Sequence, residues 1–296
     1  MFLSGRSLLP RPLIKWVGGK QNLLKFLLPL LPKRWNRWIE PFLGGGGMFF
    51  GVCPDRAVLN DANPQLVNFH RQVQADPFRV RQEALRLNGW TSCTEDMFLA
   101  RRKEYNSLLK DGVLDCISAA YFLWLSKHSF NGLYRLNGKG EYNAPWNREE
   151  SSSRSASSAL PSAERFAEVS DALSKAEIFC GSFRKLSGIA GEGDLVFLDP
   201  PYLPDPKGGN FTSYTKDGFS MEDHLAVAEF AREARNRGAC VLATNNDSSL
   251  ARQIYEGFSF RSYSTSQCIR PGRKRSEIAI LGYEPEKSID AIAGFC

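Results

Sequence analysis

The chain has 296 residues, enough for one or two domains, and 43% of them are hydrophobic, ample for a packed core. No apolar run approaches the roughly 20 residues that span a bilayer, and the opening Met1-Phe2-Leu3-Ser4-Gly5-Arg6 lacks the long apolar stretch of a secretory signal. Seven scattered cysteines without a C-x-x-C and three widely spaced histidines argue against a disulfide framework or a metal site, so a reduced, cytoplasmic, metal-free protein is expected.

Taken in order, the first ~66 residues alternate strand-like and helix-like segments. A helix is expected over 20–31, a strand over 37–42, a helix start at 45–51 and a second strand over 57–60. Asn63-Pro64 then opens a helix with proline at its first position. From about 67 to 125 the pattern is almost wholly helical. Residues 127–148 read as a hairpin with Asn-Gly turn chemistry. A Ser-rich stretch occupies 151–158. Beyond it strands are expected near 176–180, 194–198, 239–244, 258–264 and 277–283, and helices near 161–173, 221–237 and 247–256. Strands separated by helices predict an α/β fold with a mostly parallel sheet and helices on both faces. The helical and hairpin residues interrupt it like an inserted domain.

The net charge of +6 is modest but unevenly spread. Residues 1–40 carry eight Lys/Arg against Glu40 alone, and 252–275 carry six against Glu256. Within 127–148, Lys127, Arg135, Lys139 and Arg148 face only Glu141. Such clustering is the footprint expected for a polyanion, though an ordinary solvated surface explains charge alone equally well.

The most informative local object is Asp199-Pro200-Pro201-Tyr202 at the end of the apolar strand 194–198. Two prolines fix φ and remove two N–H donors, so the chain must leave the sheet as a stiff loop. Ligands of open α/β sheets bind at the carboxyl ends of strands. There the loop offers a carboxylate, an unladdered carbonyl and a flat ring, a set suited to a planar base with an exocyclic amine. Glu40-Pro41-Phe42-Leu43-Gly44-Gly45-Gly46-Gly47 follows the first strand, and its glycines let backbone approach a ligand closely. The dinucleotide fingerprint fails because Phe49 stands where its third glycine belongs, and a P-loop fails because Gln21 follows Gly19-Lys20. Asp61 ends the second strand, where α/β folds hold ribose hydroxyls, although a helix-capping role fits equally. Trp16 beside Gly18-Gly19-Lys20 offers a stacking face and a cation, or simply a packed helix start.

In this order, Trp16 with Gly18-Gly19-Lys20, Glu40-Pro41-Phe42 with the glycines, Asp61, the Phe130-Asn131-Gly132-Leu133 hairpin and Asp199-Pro200-Pro201-Tyr202 resemble Dam-type (D12 class) DNA adenine methyltransferases of the GATC-reading subgroup. The resemblance covers about 12–283. It implies a Rossmann-like S-adenosylmethionine-dependent methyltransferase domain, 1–66 and 160–296, with an inserted helical and β-hairpin target-recognition domain, 67–159. Trp16 and Lys20 would contact the methionine end of S-adenosylmethionine, Glu40, Phe42, Gly44 and Gly46 would wrap it, and Asp61 would hold its ribose. Ser182 and Phe183 fall in a further cofactor segment, where the family usually carries an acid in place of Ser182. Asp199, Pro200 and Tyr202 would be catalytic, with Asp199 also near the cofactor, and Phe211-Thr212-Ser213-Tyr214 with Phe219 would frame the site. In the hairpin, Arg135 would read guanine, Phe130 would wedge between bases with Asn131 facing the orphaned partner, and Leu133 and Pro145 would pack on thymine methyls. Lys127 and Arg148 would add backbone or edge contacts. The hairpin departs from the family at Leu136 and at Trp146-Asn147.

The implied partner is double-stranded DNA, with room for a companion restriction endonuclease, and a monomer or weak dimer is expected. Two other readings stay open: a methyltransferase of a protein amide or RNA, and a non-catalytic DNA-binding relative. Asp rather than Asn at 199 and the intact Asp199–Tyr202 run weigh against each in turn.

Overall fold

A computed structural model describes residues 9–148, 159–203, 219–266 and 274–285. Seven strands form one sheet, β1 (Trp38–Glu40), β2 (Ala57–Asp61), β3 (Ala176–Cys180), β4 (Leu195–Leu198), β5 (Cys240–Asn246), β6 (Ser259–Ser266) and β7 (Lys274–Leu281), in the order β3-β2-β1-β4-β5-β7-β6. The pairs β1–β2, β1–β4 and β4–β5 are parallel, whereas β7 runs antiparallel to both β5 and β6. This is the Rossmann-like α/β sheet expected from the sequence. The strand order reverses between β1 and β4, whose carboxyl ends lead into Glu40-Pro41-Phe42 and Asp199-Pro200-Pro201-Tyr202. A reversal of this kind is where open α/β sheets bind ligands.

The helices are α1 (Leu24–Leu27), α2 (Gly47–Val52), α3 (Pro64–Ala75), α4 (Pro77–Arg86), α5 (Glu95–Lys110), α6 (Cys116–His128), α7 (Ala163–Ser174), α8 (Met221–Asn236) and α9 (Ser249–Ile254). None among the described residues is long and apolar enough to cross a membrane. The chain divides into two compact units. The first comprises Met1–Asn22, Leu43–Asp55 and Asn60–Gly181, and the second Leu23–Phe42, Arg56–Leu59 and Ser182–Cys296.

The first unit is built on helices whose starts are written in the sequence. Asn63, Asp76, Thr94 and Asp115 each accept backbone N–H bonds at the beginning of α3, α4, α5 and α6, with Pro64 and Pro77 just inside two of them. Ten of the thirteen residues of α6 are buried, so it reads apolar on all sides and serves as the central helix. The Asn68 amide of α3 donates to the Asp115 carbonyl and the Ser118 hydroxyl, 3.0 Å each, locking α3 to the start of α6.

In the second unit α8 lies against β4 and β5. Its Val227, Ala231 and Ala234, spaced at helical periodicity, are fully buried, and the alanines permit close approach. A Ser220/Asp223 capping box starts the helix. Arg37 grips the buried Asp194 carboxylate through two nitrogens at 3.1 and 2.7 Å, tying the entry of β1 to the entry of β4. A bidentate pair of this sort fixes geometry as well as energy.

Two local expectations are modified. In place of one helix over 20–31, the chain makes a 3₁₀ turn, the short α1 and another 3₁₀ turn, and Leu31 is already extended. Pro29 has no N–H to continue a helix and Pro32 disfavours the helical conformation at Leu31. The 127–148 hairpin is joined by isolated bridges, Ser129 to Trp146 and Leu136 to Tyr142, rather than by continuous strands. Asn131 and Gly132 adopt left-handed conformations (φ 53° and 68°) in the first arm, and Pro145 brings no N–H to the second.

Candidate active site and nucleic-acid interface

Within the first unit the glycine turn is held from three sides. Gly44 has φ +52°, and a Cβ there would fall 2.9 Å from the Trp16 ring; at Gly46, φ +74°, it would fall 2.6 Å from the Phe50 ring. Only glycine satisfies both the conformation and the space. The Gly44 N–H donates to Asp61 Oδ2 (2.9 Å), and the Gly44 carbonyl accepts from His70 Nε2 (3.0 Å). Asp61 Oδ1 accepts the Asn63 N–H (2.9 Å), so Asp61 fixes the turn while Asn63 itself caps α3. A carboxylate offers about four lone-pair sites, so the Gly44 and Asn63 bonds do not exhaust its acceptor capacity. Burial pushes the Asp61 carboxyl up, against the opposing pull of the Asn63 and Gly44 N–H groups. His70 is buried, and loss of solvation drops it to about 4, so its ring is neutral and Nε2 is the protonated nitrogen facing the carbonyl.

Trp16 is half-buried and stacks on Tyr134, ring centroids 5.9 Å apart, with Phe122 at 6.0 Å. Lys20 is buried, its Nζ donating to the Gly18 carbonyl at 2.8 Å. Trp16, Lys20, Gly44, Gly46 and Asp61 are therefore brought into one neighbourhood by this unit.

The second unit gathers Glu40, Phe42, Ser182 and Phe183. Glu40 is buried and accepts the Trp38 indole N–H at 2.8 Å. Phe42 and Phe183 meet at 5.2 Å, and Phe219 completes a trio at 6.1 and 6.3 Å. The Ser182 hydroxyl caps the 3₁₀ turn Phe183–Leu186 by accepting the Arg184 N–H at 3.3 Å. Arg184 pairs with Asp223 (2.7 Å), whose carboxyl lies below the usual range through the Ser220 N–H and then the guanidinium.

In the same unit the Asp199–Leu203 loop lies on the ends of β5 and β7. The buried Thr244 hydroxyl donates to Asp199 Oδ1 at 2.6 Å. The Leu203 N–H donates to Asn245 Oδ1 at 3.0 Å, and the Leu203 carbonyl accepts from Asn246 Nδ2. Pro200 and Pro201 bring no donors, so these side-chain bonds replace a ladder. The Tyr202 and Tyr263 hydroxyls each donate to Glu277 Oε2 at 3.2 Å. Burial first, then the Asp199 carboxylate, holds the Tyr202 phenol far above its usual range, so it stays protonated.

The hairpin belongs to the first unit. Arg135 is exposed, and its guanidinium donates to the Asn143 side-chain oxygen (2.8 Å) and main-chain carbonyl (3.0 Å). Phe130 is 43% exposed although its backbone is fixed by the Pro145 carbonyl at 2.9 Å, leaving a large ring held at the surface. Pro145 and Arg148 are exposed, and Lys127, Asn131 and Leu133 are partly so. Asn137 closes the tip by accepting the Lys139 and Glu141 N–H groups at 2.9 and 3.0 Å.

Sequence reasoning missed His70, Thr244, Asn245, Asn246 and Glu277. One signal was available: Thr244-Asn245-Asn246-Asp247 is a polar run at the carboxyl end of an apolar strand, the end at which α/β sheets work. His70 and Glu277 carried no comparable mark. The expected Phe211-Thr212-Ser213-Tyr214 contribution lies outside the described residues.

A family model described as D12 class N6 adenine-specific DNA methyltransferase matches residues 16–267. The type II methyltransferase M1.LlaDCHI of Lactococcus lactis subsp. cremoris is 33% identical over 263 residues, covering 87% of this chain and 88% of that protein. The DNA adenine methylase of Vibrio cholerae serotype O1 is 31% identical over 270 residues, 90% of this chain and 93% of its own. The DNA N-6-adenine-methyltransferase of Escherichia phage P1 is 35% identical over 251 residues, 85% of this chain but only 32% of that longer protein.

Proposed function

The chain belongs to the D12 class of N6 adenine-specific DNA methyltransferases, and from that premise we propose that it methylates the exocyclic amine of a flipped adenine within duplex GATC. The observation that carries the reading is the Asp199–Tyr202 loop, fixed at the carboxyl end of β4 beside the reversal in strand order.

The groups suit S-adenosylmethionine, the cofactor of this class. In the first unit the Gly44–Gly47 turn leaves no room for side chains, and Asp61 presents acceptors of the kind a ribose diol needs. In the second, Phe42 and Phe183 offer aromatic faces to a planar ring, and Glu40 is an acid held by Trp38. We assign Trp16 and Lys20 to the methionine end, Glu40, Phe42, Gly44, Gly46, Ser182 and Phe183 to the body of the cofactor, and Asp61 to its ribose. When bound, the cofactor supplies a sulfonium-activated methyl group.

The adenine amine is a poor nucleophile, because its lone pair is delocalised into the ring. Asp199 and the Pro200 carbonyl accept its two N–H bonds, which favours a pyramidal nitrogen with its lone pair available. These bonds accelerate the reaction to the extent that they strengthen in the transition state. Tyr202, held by Glu277, stacks on the base. A base inside a duplex has to leave the stack first, and the hairpin performs the reading: Arg135 on guanine, Phe130 as wedge with Asn131 facing the orphaned partner, Leu133 and Pro145 on thymine methyls, Lys127 and Arg148 on backbone or base edges. We further assign 67–159 to target recognition, inserted into a methyltransferase domain of 1–66 and 160–296.

Transfer of labelled methyl to duplexes bearing GATC or its single-base variants tests the assignment. GATC should be the preferred acceptor, and Asp199→Ala should abolish transfer while duplex binding stays within about threefold. Equal labelling of all the variants would end the GATC reading. Near-normal turnover by Asp199→Ala would end the catalytic one.

A further inference from the structure

We propose that Thr244 is a positioning residue for the methyl-transfer reaction, its hydroxyl fixing the orientation of the Asp199 carboxylate. This rests on the reading of Asp199 as the group that accepts the adenine amine.

The register of the sheet makes the pairing. Leu198 on β4 lies opposite Ala243 on β5 in the parallel ladder, so the next residue on each strand is Asp199 and Thr244. Both strands leave the regular β4–β5 pairing at that point, yet the contact persists through side chains, Oγ1 to Oδ1 at 2.6 Å. This is the length of a charge-assisted O–H···O⁻ bond.

Thr244 has no exposed surface, and its predecessors Val241, Leu242 and Ala243 are fully buried. Valine would fill the same space in a strand with equal or better propensity. The hydroxyl is thus the one feature of this side chain that packing does not call for. A threonine hydroxyl has a single proton, and here it points to the carboxylate.

Pro200 and Pro201 offer no N–H, and Leu203 at the far end of the loop is held by Asn245 and Asn246. Three consecutive side chains of β5 therefore grip the two ends of one five-residue loop. Within the loop, the Tyr202 hydroxyl donates to Glu277 Oε2 at 3.2 Å. Loss of Oγ1 removes a bond that sets the carboxylate's orientation about its Cα–Cβ and Cβ–Cγ bonds. Misplacing a catalytic group by about 1 Å can cost on the order of a hundredfold in rate.

The test compares Thr244→Ala with Thr244→Ser, which lack the same methyl group and differ only in the hydroxyl. Single-turnover methyl transfer is measured on unmethylated genomic DNA, so the outcome does not depend on the GATC assignment. Thr244→Ala should be slower than wild type by roughly ten- to a hundredfold at saturating cofactor. Thr244→Ser should recover to within about threefold, and S-adenosylmethionine affinity should be unchanged in both. Thr244→Val, which preserves volume, should be as slow as Thr244→Ala. Equal rates for the alanine and serine variants would overturn the proposal, as would a valine variant at the wild-type rate. Asp199→Ala is run alongside. If that variant transfers methyl groups normally, the reading of Asp199 has failed. If it is inactive while the hydroxyl makes no difference, only the role of Thr244 has failed.

Discussion

Gly44 shows how one turn is set by side chains from two other elements of the chain. Its N–H is held by Asp61 and its carbonyl by His70, so both polar atoms of one left-handed residue are fixed. The His70 bond has a consequence for stability. His70 falls to about 4 in the folded protein, against about 6.5 for an exposed histidine. Between those values the unfolded chain binds the extra proton and the folded chain does not, so stability rises with pH there. The contribution is complete above about pH 6.5 and is lost as the pH falls toward 4. Its size is about 3 kcal/mol. Denaturant unfolding of wild type and His70→Gln at pH 7 and pH 4.5 reads it. The wild type should lose more stability on acidification, by roughly 2 kcal/mol, because glutamine can donate to Gly44 without titrating. Parallel losses would show that His70 is not the group responsible.

At the scale of elements, legibility followed sequence distance. The cap of α3 was plain in Asn63-Pro64, and the stiff loop that ends β4 was plain in two prolines beside an acid and a tyrosine. Thr244 and Glu277 were not, because what gives them meaning is a sheet register that brings in residues 45 and 75 positions earlier. His70 was hidden in the same way: on α3 it reads as one more buried helical residue, and its partner Gly44 lies 26 positions earlier. The hairpin was legible from its Asn-Gly chemistry, but its sparse pairing was not, since that follows from left-handed Asn131 and Gly132 facing a proline arm. The sparse ladder bears on recognition. Arg135 is steadied by Asn143 across the hairpin rather than by strand neighbours, so its guanidinium is presented in an ordered orientation. Arg135→Ala should relax discrimination between GATC and sites altered at guanine by about 1–3 kcal/mol while leaving nonspecific binding nearly intact. Competition binding with singly substituted duplexes reads this directly, and unchanged discrimination would remove Arg135 from the reading role.

For the whole molecule, the charge count overstates what DNA can meet. Of the eight basic residues in 1–40, Lys20 is buried against the Gly18 carbonyl and Arg37 is committed to Asp194. Arg252 is paired with Asp247 through its guanidinium. Arg11, Lys25, Lys33, Arg34, Arg135, Lys139, Arg148 and Arg261 are exposed among the described residues of these stretches. Each phosphate neutralised on a duplex releases condensed counterions, so the logarithm of affinity falls linearly with that of salt. If about five phosphates are met, affinity should drop on the order of 500-fold between 50 and 200 mM salt, with a slope near −4.5. Lys139→Ala, at the hairpin tip, should lower the slope by about one and weaken all sequences alike if it meets a phosphate. A fluorescence titration series over that salt range measures both. A slope near −1 for the wild type would mean that the basic clusters do not lie on DNA, and that affinity comes from base contacts and stacking instead. A Lys139→Ala variant with unchanged slope but altered sequence preference would move that lysine from the backbone to a base edge.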